Sequence, residues 1–220
     1  MHASHQKCGV HILSQKKPSL PFPHVHLHIK DIYVYLPPSR AISLLLKSPS
    51  FSSQTQSYTM LEIACFTQAS ALTAYHSGAS RIELCTSYSS GGLTPRISTL
   101  LSLQKTIPTS YPIVIMIRPR PGDFHYSTAE FEAMRASIAL FSPLASGFVF
   151  GILDASGRVD VARNSELVDI ASPLPCTFHR AIDEVHVGSD EEWMGEVGKV
   201  VECGFKRVLM SGRGKTAMEG

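Results

Sequence analysis

Long hydrophobic runs are missing from this sequence: no apolar stretch in its 220 residues approaches the roughly 18 to 20 that a membrane span requires, so no bilayer crossing is expected. A surplus of charge is missing too. The formal net charge of +2 leaves no electrostatic footprint for nucleic acid or an anionic membrane, and no RNA- or DNA-binding motif is present. A disulfide framework is also lacking. The five cysteines, Cys8, Cys65, Cys85, Cys176 and Cys203, are odd in number, widely spaced and mostly inside apolar runs, which suits reduced thiols and a cytoplasmic location. No G-x-G-x-x-G follows the first strand pattern and no serine sits in G-x-S-x-G, which argues against a dinucleotide fold and against acyl transfer. What is present, 44% hydrophobic residues, suffices for one real core.

Residues 1–59 differ in character from 60–220. They carry six Lys/Arg against a single acid, Asp31, with many Ser and Pro and no sustained period of 2 or 3.6, which predicts an irregular or poorly ordered extension. The basic, serine-rich balance suits a transit peptide, but an Arg-rich amphipathic helix is lacking. His24, His26 and His28 share one face of any extended segment and could hold a metal, although three histidines without a Cys or carboxylate are more often incidental. Met60 stands directly before the first orderly element, as an initiator would.

From Leu61 short apolar runs alternate with amphipathic stretches: "LEIACFT", "RIELCT", "PIVIMIRP", "GFVFGILD", "PCTFHRAI" and "RVLMSG" read as strands, with helical patterns between them. Ser, Thr or Asp opens several of those helices, and Gly78 and Gly204 close two. Strands apolar on both faces, in strict alternation with helices, predict an α/β fold with a parallel sheet, either a (β/α) TIM-type barrel or a doubly wound sheet. Polar residues recur at nearly every strand's C-terminal end, where a barrel builds its site, so the barrel is favoured. Eight βα units take about 250 residues, and this chain offers about six, so the barrel is expected to be truncated, with two open edges.

Five stretches, "LEIACFTQASALTAYHSGASRIELC", "GGLTP", "MIRPRPGDFHYS", "TFHRAID" and "RVLMSG", occur in the order found in the CutC family, which residues 60–220 resemble. The resemblance implies a (β/α) barrel, commonly a homo-oligomer, linked to copper tolerance, with Cu(I) binding by some members and no assigned reaction. Two features depart from the family pattern: residues 1–59 have no counterpart, and the last two βα units are absent.

Two chemistries follow, besides a partial gene product without activity. The first is copper. Cys65 and Cys85 end neighbouring strands, about 4.8 Å apart in a parallel sheet, so two thiolates at equal height could hold Cu(I), and the resemblance nominates the same pair. The bland reading is that buried cysteines pack as small apolar groups, as expected of Cys176 and Cys203. The second is an enzyme acting on a small carboxylate or phosphate. Arg118, Arg120, Asp123 and Arg180 are candidate binding groups, since paired guanidiniums grip oxyanions bidentately. His179 is the candidate acid or base, oriented by Asp183 or Glu83. The bland alternative is a salt-bridge network tying loops to the rim. "SSGGLTP" offers a backbone nest for an anion or a plain turn into a helix capped near Thr94, and Gly212–Thr216 resembles part of a phosphate loop without its leading spacing.

Overall fold

The computed structural model describes residues 61–211 in full, together with the backbone strands Gly9–Leu13 (β1), His28–Ile29 (β2) and Ile32–Tyr35 (β3) and that of residue 60. His24, His26 and Gly212–Thr216 lie outside the described residues, as does the side chain of His28. Strands β4 (Met60–Cys65), β5 (Arg81–Leu84), β6 (Ile113–Met116), β7 (Gly147–Phe150), β8 (Cys176–Phe178) and β9 (Arg207–Met210) pair in parallel and in chain order. Helices α1 (Gln68–His76), α2 (Ile97–Leu103), α3 (Thr128–Phe141), α4 (Val161–Ala171) and α5 (Asp190–Glu202) alternate with them. The sheet curls into a half-barrel with the helices on its outer face.

Local chemistry sets the helix starts. Thr67 and Ser127 form capping boxes with Ser70 and Glu130, and Asp160 and Ser189 accept from the third helical amides. Gly78 and Gly204 follow α1 and α5 at φ +85° and +93°, a backbone state that side chains with a Cβ disfavour. One expected cap is replaced. Helix α2 starts after Arg96 without a side-chain cap, and Thr94 instead binds the backbone of Arg118.

Every residue of β5, β6 and β7 is buried, as two covered faces require. On the outer face Ile63, Cys65, Leu84, Ile115 and Phe148 pack beneath helix residues such as Leu100 and Ile138. On the concave face Cys85, Val114, Met116 and Val149 form a second cluster, with Phe66 against it. Each large apolar side chain buried this way contributes about 1.5–3 kcal/mol.

Both edges of the parallel sheet take a strand from the N-terminal segment. β1 runs antiparallel beside β4, with Leu13 opposite Met60, and β3 antiparallel beside β9, with Ile32 opposite Met210. These strands are two to five residues long. No period announces them, because such short segments are defined by the edge they pair with.

At the N-terminal ends of the strands the concave face carries charge. Arg81 Nε donates to Glu62 Oε2, and Arg207 Nη1 lies 4.0 Å from that same oxygen, all three residues being buried. At the opposite end the turn Arg180–Glu184 follows β8, and Trp193 Nε1 of α5 donates to the Ile182 carbonyl at 3.0 Å. No helix among the described residues is long and apolar enough to cross a membrane.

Candidate functional site

Arg118 is the centre of the C-terminal rim. Two residues beyond Met116 it keeps the concave parity, and it is buried. Its backbone N–H donates to Thr94 Oγ1 at 2.8 Å, while Nη1 donates to the carbonyls of Ser90 and Gly92 and Nη2 to that of Gly122. Nε has no hydrogen-bond partner among the described residues. The guanidinium stacks over Phe124 at 4.7 Å from the ring centroid. Its charge also reaches Tyr126, whose hydroxyl burial pushes up to about 12 while Arg118 works against that shift.

His179 occupies the other side of Phe124's contacts, with ring centroids 4.7 Å apart. The Ala181 N–H donates to Nδ1 at 3.3 Å, so the ring proton sits on Nε2, which is buried and has no partner among the described residues. Burial holds the imidazole down to about 3, and the Arg118 charge presses the same way. It is therefore a neutral donor at physiological pH, and the expectation that Asp183 or Glu83 orients it is corrected by its backbone partner. Asp183 instead accepts from the Ser211 N–H at 3.0 and 3.1 Å and from Arg180 Nε at 3.0 Å, which ties the turn to the end of β9.

Arg120 and Asp123 organise a loop. Arg120 pairs with Glu130 at 2.6 Å and with Asp123 at 2.8 Å, donates to the His125 carbonyl, and stacks over Tyr126. That hydrogen bond holds the Asp123 carboxyl below its ordinary value. The salt-bridge reading, made for Arg118, Glu83, Asp123 and Arg180, thus describes Asp123 and Arg180, which pair with Arg120 and Asp183, whereas Arg118 donates to backbone carbonyls and His179 keeps a buried donor without a partner among the described residues. The glycine loop is a turn and a clamp: the Gly91 and Gly92 N–H groups donate to Tyr88 and Ser87, and Gly92 turns its carbonyl to Arg118. An anion nest there is excluded by those spent donors. A cavity of about 600 Å³ opens beside Arg118 and Phe124, walled by Asp123, Asp154, Glu184 and His186.

The order of motifs and the geometry agree with what comparison finds. The CutC family model matches residues 59–220. The chain belongs to the CutC family. It is 39% identical over 173 residues, or 78% of this chain, to the human copper homeostasis protein cutC homolog, and 42% identical over 168 residues to a CutC family protein of Photorhabdus laumondii. These matches cover 61% and 63% of those proteins and 74% of this chain in the second case, so the chain spans about three-fifths of the length of the curated relatives it matches. The solved CutC structure from Streptococcus agalactiae superposes with a TM-score of 0.60 at 25% identity, over 66% of this chain and 68% of that one.

For this CutC chain the expected cysteine pair is corrected by the register. Cys65 is opposite Leu84, not Cys85, and it packs in the helix-covered layer, where its Sγ lies 3.5 Å from the Ile63 carbonyl. Cys85 is one residue further on and therefore faces the concave side. Its thiol donates to Glu83 Oε1 at 3.3 Å, and burial, then Glu83 beside it, push its pKa well above the ordinary value. Glu83 and Arg118 do share the concave face, as their parity predicts. Cys176 and Cys203 are buried among apolar side chains. Among the described residues no group of three or more His, Cys, Asp or Glu could hold a metal. Sequence reading missed Phe124 and the place of Met116 in the packed cluster with Cys85, and it gave Thr94 the role of a cap.

Proposed function

We propose that this chain is a copper-homeostasis protein, as the name of the human relative states for that protein, built on a (β/α) barrel of about six units over residues 60–220. Its Cu(I) ligands are the Cys85 thiolate and the Met116 thioether. One observation carries this reading: the two sulfur-bearing side chains belong to one packed cluster on the concave face. Glu83 is opposite Val114, so two residues further along the parallel pair Cys85 stands level with Met116. Neighbouring parallel strands are about 4.8 Å apart, and soft thiolate and thioether donors select Cu(I). The residues fit the ion in kind, and Glu83 stands next to the thiol to receive the proton that binding must release.

The test is anaerobic titration of the reduced full chain with Cu(I) against a competing chelator, with X-ray absorption to count sulfur ligands. Tight binding of about one Cu(I) per chain is expected, because two soft ligands define one site. Cys85→Ser should abolish it, Met116→Leu should remove one sulfur from the metal's shell, and Cys65→Ser should leave both readings unchanged. No tight Cu(I), or loss of binding in Cys65→Ser alone, would overturn the proposal.

A further inference from the structure

Among the described residues the C-terminal rim leaves three buried polar groups without a hydrogen-bond partner, the Tyr126 hydroxyl near Arg118 and two donors. Arg118 Nε and His179 Nε2–H are both buried, in residues only 7% and 4% exposed. Leaving a buried donor unpaired costs about 1–3 kcal/mol, and two such donors joined through one aromatic ring are a constellation rather than scattered flaws. Both are donors, one of them cationic, and Phe124 packs on both. A group that satisfies them must bring acceptors, and an oxyanion brings several.

The space beside them has the opposite character. Besides Arg118 and Phe124 the cavity is lined by three carboxylates, Asp123, Asp154 and Glu184, and by His125 and His186. Asp123 is already neutralised by Arg120, and Asp154 accepts from the Ser156 and Arg158 amides with its Oδ1. Glu184 is exposed at the entrance. A bare anion would meet this wall unfavourably, whereas a ligand carrying an amine at its outer end would be attracted to it. A volume of about 600 Å³ suits a small metabolite.

We propose that this cavity binds a small amine-bearing anion, its carboxylate or phosphate end reaching Arg118 Nε and His179 Nε2–H after the Phe124 ring swings aside, and its ammonium end facing Asp154 and Glu184. The site is separate from the copper ligands, since Cys85 and Met116 lie deeper on the concave face, and it stands or falls without them. Phe124 is the moving part because it touches both donors and also lines the cavity.

A matched pair of probes tests this: 4-aminobutyrate and butyrate, titrated calorimetrically into the metal-free full chain at low salt. The amine-bearing probe should bind several-fold more tightly, and Glu184→Gln should shrink that advantage without affecting butyrate. Arg118→Lys keeps the charge but loses the Nε donor and should weaken both probes about tenfold or more, the size of a lost charge-assisted hydrogen bond. Phe124→Ala should strengthen both, with near-ultraviolet circular dichroism confirming that each variant is folded. Butyrate binding as tightly as its amine partner, no binding of either by the wild type and Phe124→Ala, or indifference to Arg118→Lys would each overturn the proposal.

Discussion

The two ends of the half-barrel's concave face both bury arginines, and they treat them in opposite ways. At the N-terminal end Arg81 and Arg207 converge on one carboxylate, Glu62, and opposite charges answer each other inside the chain. At the C-terminal end Arg118 is held by backbone carbonyls and the face of Phe124, with the Tyr126 hydroxyl near it, and its neighbour His179 is another donor. A buried charge matched by a buried countercharge is a fixture of the fold, costly to break from either side. Both ends leave buried polar atoms unmet among the described residues, Glu62 Oε1 and Arg81 Nη2 at one and Arg118 Nε and His179 Nε2 at the other, so what separates them is the countercharge. That difference agrees with the general division of such folds into a stabilising end and a working end.

The contrast can be broken most forcefully at the stabilising end. Glu62→Gln strips the charge from between two buried guanidiniums, and removing one partner of a buried pair costs about 3–5 kcal/mol. A urea denaturation curve should move by that amount, and a shift below 1 kcal/mol would show that Glu62 does not hold the arginines. At the working end the expected effect is smaller and depends on pH. The folded His179 has its pKa lowered from 6.5 to about 3, so between these values the unfolded chain takes up a proton that the folded chain refuses. Stability contributed by the neutral ring is therefore complete above about 6.5 and is lost as pH falls toward 3, by up to about 1.4 kcal/mol per pH unit. His179→Phe should flatten that segment of the stability profile relative to wild type, and parallel profiles would refute the buried neutral imidazole. The smallest effect belongs to the loop that follows Arg118 at the working end. Arg120→Ala breaks partly exposed ion pairs with Asp123 and Glu130, and exposed pairs are worth about 0–1 kcal/mol. Its thermal midpoint should hardly move, while amide exchange should quicken around His125, whose carbonyl accepts from Arg120.

The alternation of strands and helices was legible because burial on both faces forces continuous apolar runs and because Thr67, Ser127, Asp160 and Ser189 mark where helices begin. The concave placement of Glu83, Cys85, Met116 and Arg118 followed from parity within single strands. Cys65 was harder. Its face depends on the register between two strands, and a shift of one residue reverses every side chain. Thr94 was misread for a related reason: its hydroxyl serves a residue 24 positions away rather than its own helix. The buried trio of Glu62, Arg81 and Arg207 went unnoticed, although charges at the starts of three otherwise apolar strands were a signal in plain sight. Phe124 carried no signal, since nothing distinguishes a loop aromatic that covers donors from one that fills a gap.

Trp193 is the sequence's single tryptophan, and its indole N–H is committed to the carbonyl of Ile182, three residues past His179. The chain therefore carries a built-in optical probe of its working rim. Emission from an indole depends on the polarity and hydrogen bonding around it, so a ligand that shifts the turn after β8 would change the colour or intensity of fluorescence without any label. The proposed rim ligand can then be sought in the native, unlabelled chain.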